Sequence, residues 1–164
     1  MPDKATLERA KKDKREGKAA STQAGEFVRE EIDHIREGEH GARSTKQAIA
    51  IGLSKARRAG VDLPPPKKGT TSEETRRSAA SAYRAGQEGD DEVSRTRSRA
   101  ATKALKREGH AAASKKALSR HAHAAAENRT ASDRSAAARK AAKTKGAAAR
   151  SAAARKAART RARS

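Results

Sequence analysis

Cysteine and tryptophan are absent from this 164-residue chain, and Met, Phe and Tyr occur once each. Without thiols there is no disulfide framework, no thiolate nucleophile and no cysteine-ligated zinc, which fits a reducing compartment. With Phe27 and Tyr83 as the only aromatic residues, base stacking, the usual grip on single-stranded nucleic acid, is nearly unavailable. No apolar run approaches the ~20 residues of a membrane span. The first residues, MPDKATLERAKKDKREGK, lack the apolar segment of a signal peptide. A cytoplasmic protein with no membrane partner is therefore expected. Side chains able to fill a core are also scarce: fifteen exceed alanine in apolar bulk, nine of them between Phe27 and Leu63. Low hydrophobicity with a formal charge of +20 is the composition of a chain that is disordered over much of its length.

That scarcity also limits chemistry. Nucleophilic catalysis needs a base and an orienting group fixed in a pocket, and this chain has little with which to build one. No enzyme activity, small-molecule substrate or cofactor is expected. Glu31-x-x-His34 and Glu37-x-x-His40 have the spacing of the carboxylate–histidine pairs in di-iron bundles. Those sites need ligands from four helices around a packed core, so the pairs read here as a solvated charge run and no metal is expected. His121-x-His123 directs two rings to different helix faces. The glycine cluster RAGQEGDD lacks the Gly-Lys-Ser/Thr of a phosphate loop and continues into acids.

What the sequence does contain is helix. Ala24, Val28, Ile32 and Ile35 follow i, i+4, i+8, i+11, one stripe of an amphipathic helix that Gly38 and Gly41 bring to an end. Ser44 and Gln47 stand in capping-box spacing at the start of a second. Its stripe is Ile49, Leu53 and Ala56, with Ile51 on the opposite side. Gly60 and Pro64-Pro65-Pro66 stop it. The short loop predicts an antiparallel helical hairpin, and Ile51 needs a further surface, such as a second copy of the chain in a homo-oligomer. Downstream, Thr71 and Glu74, then Asp90 or Asp91, then Ser114 mark the starts of three helices rich in Ala, Arg and Lys. The predicted fold is all-α: a small helical hairpin plus Ala-rich helices, with substantially disordered termini. The segments are a charged tail over 1–21, the hairpin over 22–63, a Pro/Gly linker over 64–71, an Ala/Arg-rich helical region over 72–127 and a disordered basic tail over 128–164. Two internal echoes stand out. REGEHGARSTKQA (36–48) resembles REGHAAASKKA (107–117), and RSAAARKAA occurs at 134–142 and again at 150–158.

Charge is distributed unevenly. Residues 134–164 hold eleven Lys or Arg, fourteen Ala and no Asp or Glu, so more than half of the net +20 lies in this terminal block. Such a block acts as an arm for a polyanion. On one continuous helix its sixteen-residue repeat would turn by about 160°, surrounding the axis with charge and leaving no apolar stripe for a membrane or groove. Mutual repulsion is expected to leave the free arm disordered; neutralisation lets the helix propensity of alanine act. Each cation placed on a phosphate releases condensed counterions, which drives binding without reading sequence. The expected contacts are Arg134, Arg139, Lys140, Lys143, Lys145, Arg150, Arg155, Lys156, Arg159, Arg161 and Arg163, with Lys46, Lys55, Arg57 and Arg58 of the second hairpin helix as an additional face. The expected partner is duplex DNA in a nucleoid setting. Structured RNA or the ribosome is the nearest alternative, and a hydrophilic stress-related protein with a solubilising tail is a third.

The stretch EGEHGARSTKQAIAIGLSKARRAGVDLPPP resembles the core motif of a family of small bacterial proteins labelled DNA-binding, over about Thr22–Pro66. The Ala/Lys/Arg arm is similar to the tails of bacterial histone-like proteins and linker histones. The resemblance implies DNA binding and brings no catalytic residue. The winged-helix domain of linker histones has no counterpart in this sequence.

Overall fold

A computed structural model describes residues 2–89 and 94–162. Asp90, Asp91, Val93 and Arg163 lie outside the described residues, as do Met1 and the side chain of Lys145. Among those described there are seven α-helices, one 3-10 turn and no strand, so the all-α expectation holds. The helices are α1 (Lys4–Arg15), α2 (Ala20–Glu37), α3 (Thr45–Arg58), α4 (Glu73–Glu88), α5 (Arg95–Leu105), α6 (Lys115–Glu127) and α7 (Ala131–Arg161); the 3-10 turn spans Ala111–Ala113. The chain divides into two compact units, Met1–His121 and Ala122–Ser164.

In the first unit α2 is the hub. Ala48 of α3 packs with Ile32 and Ile35, Gly52 lies against Val28, and Ala56 packs with Ala24 and Phe27. Ascending positions on one helix meet descending positions on the other, which is the antiparallel hairpin. The seam differs from the expected Ile49–Leu53 stripe. Thr45, Ala48, Gly52, Ala56 and Arg57 are the buried positions, while Ile49, Ile51 and Leu53 are only partly covered. Small residues win the interface because they let two backbones approach closely, and dispersion grows steeply at short range. The same device builds the rest of the core: among the described residues, nine of the thirteen buried apolar ones are alanine. A packed unit therefore forms despite the shortage of large side chains.

Residues 1–21 read as a solvated tail, yet α1 docks on α2. Thr6 and Ala10 are buried, Asp3 N donates to Glu30 Oε2 at 3.2 Å, and Arg9 pairs with Glu26. The buried positions of α1 are Thr6, Ala10 and Asp13, with Leu7 partly covered, which is no apolar stripe. Its loop into α2 is held by Lys18, which lies 2.7 Å from Asp13 and 2.8 Å from Glu16. Those partners raise the Lys18 ammonium well above its ordinary range, the Asp13 hydrogen bond most.

Caps fall close to the expected places. Ser44 Oγ accepts from Gln47 N at 3.2 Å, and the Gln47 amide oxygen accepts from Arg43 N rather than from Ser44 N. Ser114 Oγ accepts from Ala117 N. Helix α4 begins one residue later than expected, with Ser72 as its cap, and α5 is capped by Ser94. The two similar segments meet: Ala42 N donates to Gly109 O and Thr45 Oγ1 to Ala112 O at 2.7 Å, while Gly41 N donates to Leu105 O just before the second segment. One turn of the echo thus lies on the other.

Helix α4 packs on α3 and supplies Tyr83, whose hydroxyl donates to Asp62 Oδ1 at 2.7 Å. The hydrogen bond to this carboxylate raises the phenol above its ordinary value. A raised folded-state value means the contribution is present below about pH 10 and is lost as pH rises through the folded value. Tyr83 is the only tyrosine, so ultraviolet absorbance titration reads it alone. The midpoint should lie above about 10 and fall back toward it in Asp62→Ala; an unchanged midpoint would remove this contact.

Candidate functional site

Two places concentrate charge. The first is α7. Thr130 caps it, its hydroxyl accepting from Asp133 N at 3.1 Å while the Asp133 carboxylate accepts from Thr130 N and Oγ1. The Thr130 hydroxyl and backbone bonds lower the Asp133 carboxyl below its usual range, so the cap opens only as pH falls through that depressed value. Asp133 is the last acid of the chain. Where repulsion was expected to leave the arm disordered, the structure has helix, consistent with the alanine content.

The helix is not continuous. Gly146 has φ 67 and ψ 170, a left-handed conformation that suits glycine, and it separates residues 131–145 from 147–161. The first half carries Arg134, Arg139, Lys140, Lys143 and Lys145; the second carries Arg150, Arg155, Lys156, Arg159 and Arg161. Every member of the second set stands sixteen positions after its counterpart. The two halves are thus the same five-cation unit used twice, each about 22 Å long at 1.5 Å per residue. The break removes the 160° relation that one straight helix would impose. No described residue of α7 is buried. Two cations fold back on the backbone, Arg134 Nη1 onto Arg129 O and Arg150 Nε onto Gly146 O, both at 3.1 Å.

The additional face on α3 shrinks. Lys46 and Arg58 are exposed. Arg57 is buried and donates to Leu63 O and Pro64 O, and burial lowers its guanidinium from the ordinary value. It fastens the proline segment to the hairpin. Lys55 turns to Glu31 and Glu30, with Nζ 2.7 Å and 3.4 Å from their carboxylates. Spacing alone marks these four as one basic group because it carries no information on which side another element packs.

The second place is the inner end of α2, which the sequence reads as a solvated charge run. Glu30 and Glu31 are instead 5% and 0% exposed. The left-handed Gly38 (φ 85) ends α2 and turns the chain so that His40 returns over the helix. His40 Nε2 lies 3.4 Å from Glu31 Oε1, and the His34 and His40 rings meet edge to face at 6.3 Å. His34 also faces Asp3 Oδ2 at 3.5 Å and Glu39 Oε2 at 3.7 Å. The Glu31-x-x-His34 spacing was the available signal; what gives it meaning is the loop after Gly38, which brings His40 to Glu31, and Lys55 of α3 on the other oxygen.

Residues 11–68 match a family of unknown function (DUF6496). The match takes in the end of α1, the hairpin and the proline segment, somewhat more than the stretch whose resemblance the sequence suggests. No curated protein and no solved structure matches the chain. Among the described residues no helix is long and apolar enough to cross a membrane.

Proposed function

We propose that this protein binds duplex DNA without sequence preference through the two cationic halves of α7, as histone-like proteins do. The observation that carries the reading is the duplicated five-cation unit, with no acid beyond Asp133 and with every described cation side chain in it exposed. Phosphate recognition asks for this and nothing more: cations on a surface, with affinity supplied by counterion release. Exposed Lys46 and Arg58 extend the contact to the helical body. The scarcity of aromatic residues favours duplex over single strands. A solubilising arm is the poorer reading, since acids serve solubility better than a concentrated basic block.

The test is a binding titration at several salt concentrations, comparing the full chain with a chain ending at Asp133. Truncation should remove most of the affinity and flatten the dependence of log K on log salt. Equal slopes would place the contact in the helical body. Competition between equal phosphate concentrations of duplex DNA and ribosomal RNA separates the two polyanions, and preference for the RNA would replace the proposed partner.

A further inference from the structure

We infer that Glu31, His34 and His40 form a binding site for a divalent first-row transition-metal ion of the zinc type. The site is independent of the DNA reading, since it shares no residue with α7. One ligand atom from each of the three residues lies within 4.8 Å of the others. Glu31 and His34 are three apart on α2 and so share a face; Gly38 returns His40 to that face from the loop.

The carboxylate of Glu31 makes the case specific. Its residue is fully buried, and among the described residues neither oxygen has a hydrogen-bond donor. Lys55 Nζ pairs with Oε2 at 2.7 Å while also donating to Glu30 Oε1 at 3.4 Å, so the cation answers one oxygen of Glu31 and leaves Oε1. A buried ionised carboxylate is costly unless a charge and directed donors satisfy it. Among the described residues the ion-pair partner of Oε1 is His40 Nε2, at 3.4 Å. That nitrogen is not a donor when the ring is neutral: Nδ1 lies 3.1 Å from Gly41 O, a carbonyl that can only accept, so the ring proton sits on Nδ1. In that neutral tautomer two lone pairs face each other across the gap between Nε2 and Oε1. A cation between them resolves the conflict, and a backbone carbonyl on the far ring nitrogen is the outer partner that orients a metal-binding histidine.

Charge and access agree. Asp3, Glu30, Glu31 and Glu39 converge on the two imidazoles, so the locality favours positive charge although the chain as a whole is strongly basic. Asp3 and Glu39 are largely exposed, at 63% and 57%, and lead from solvent to His34. Asp3, Glu30 and His34 form an overlapping group of three through which an ion would pass. Two imidazole nitrogens with one carboxylate oxygen and no thiolate suit zinc and its first-row neighbours; calcium and magnesium want all-oxygen sites.

The experiment uses the full chain, with Zn²⁺ as the probe and no nucleic acid present. Competition against a chromophoric chelator should show one saturable equivalent. His40→Asn should weaken it by more than about 100-fold, beyond the ~10–100-fold typical of losing an outer partner. His121→Asn/His123→Asn should leave it unchanged. Nitrogen-15 spectra of the wild-type imidazoles, which require no variant to fold, should show the rings of His34 and His40 shifting while His110, His121 and His123 stay. No saturable uptake, uptake indifferent to His40→Asn, or shifts confined to the other three histidines would each overturn the site.

Discussion

Neutralising either half of the C-terminal arm is expected to cost the same share of DNA affinity. The two variants replace by glutamine either Arg134, Arg139, Lys140, Lys143 and Lys145, or Arg150, Arg155, Lys156, Arg159 and Arg161. Each neutralised phosphate contributes about 0.9 to the slope of log K against log salt. Full engagement of one five-cation half is then worth about 4.5, or roughly a 500-fold change in affinity between 50 and 200 mM salt. Either variant should flatten the slope by up to that amount and to an equal extent. Joint replacement should reduce binding to what the helical body supplies. Equality follows from the identical spacing of the halves and from Gly146, whose φ of 67 lets each follow a phosphate backbone without holding the other in register. If one half carries nearly the whole slope, the duplicated unit is not what binds.

The second large effect concerns Gly52. Judged as an isolated helix, α3 should gain about 1 kcal/mol from Gly52→Ala, because glycine is a poor helix former. The tertiary contact reverses the sign. A methyl group there would stand 2.6 Å from Val28 Cα and 3.0 Å from Phe27 O. Both are backbone atoms of α2 that no rotamer change can move. The helices must separate, opening the seam of Ala48, Ala56 and Ala24. Overpacking of this kind costs about 1–3 kcal/mol or more, which for a unit of this size lowers Tm by about 5–15 °C. Gly25, on the exposed side of α2 with open space around it, is the matched control. Gly25→Ala should raise Tm by a few degrees. Thermal unfolding followed by circular dichroism checks both; a more stable Gly52→Ala would mean that the seam is looser than described. Gly86 meets Arg57 O in the same way between α4 and α3, so the close-approach principle extends beyond the hairpin.

Both experiments act on features that differ in how far local sequence announces them. The helices, the Ser44 and Ser114 caps, the stop at Gly38 and the uneven charge were legible because each depends on residues within one or two turns of each other. Periodicity, capping and charge runs are local quantities. The arm's cations were legible for the same reason, since exposure is the default for charge. The break at Gly146 and its consequence, two equivalent halves, needed the backbone conformation.

By itself, then, the order of residues determined that this protein is helical, that its large apolar residues gather in a hairpin, and that its positive charge ends in one arm. Tertiary structure alone decided that α1 docks, that Lys55 and Arg57 point inward, that Gly52 is a contact rather than a weakness, and that Glu31 is buried beside two histidines. The reason is physical. Whether a polar or small residue faces solvent or a neighbour depends on which distant element covers it, and in a core built largely of alanine no bulky side chain marks the covered face in advance.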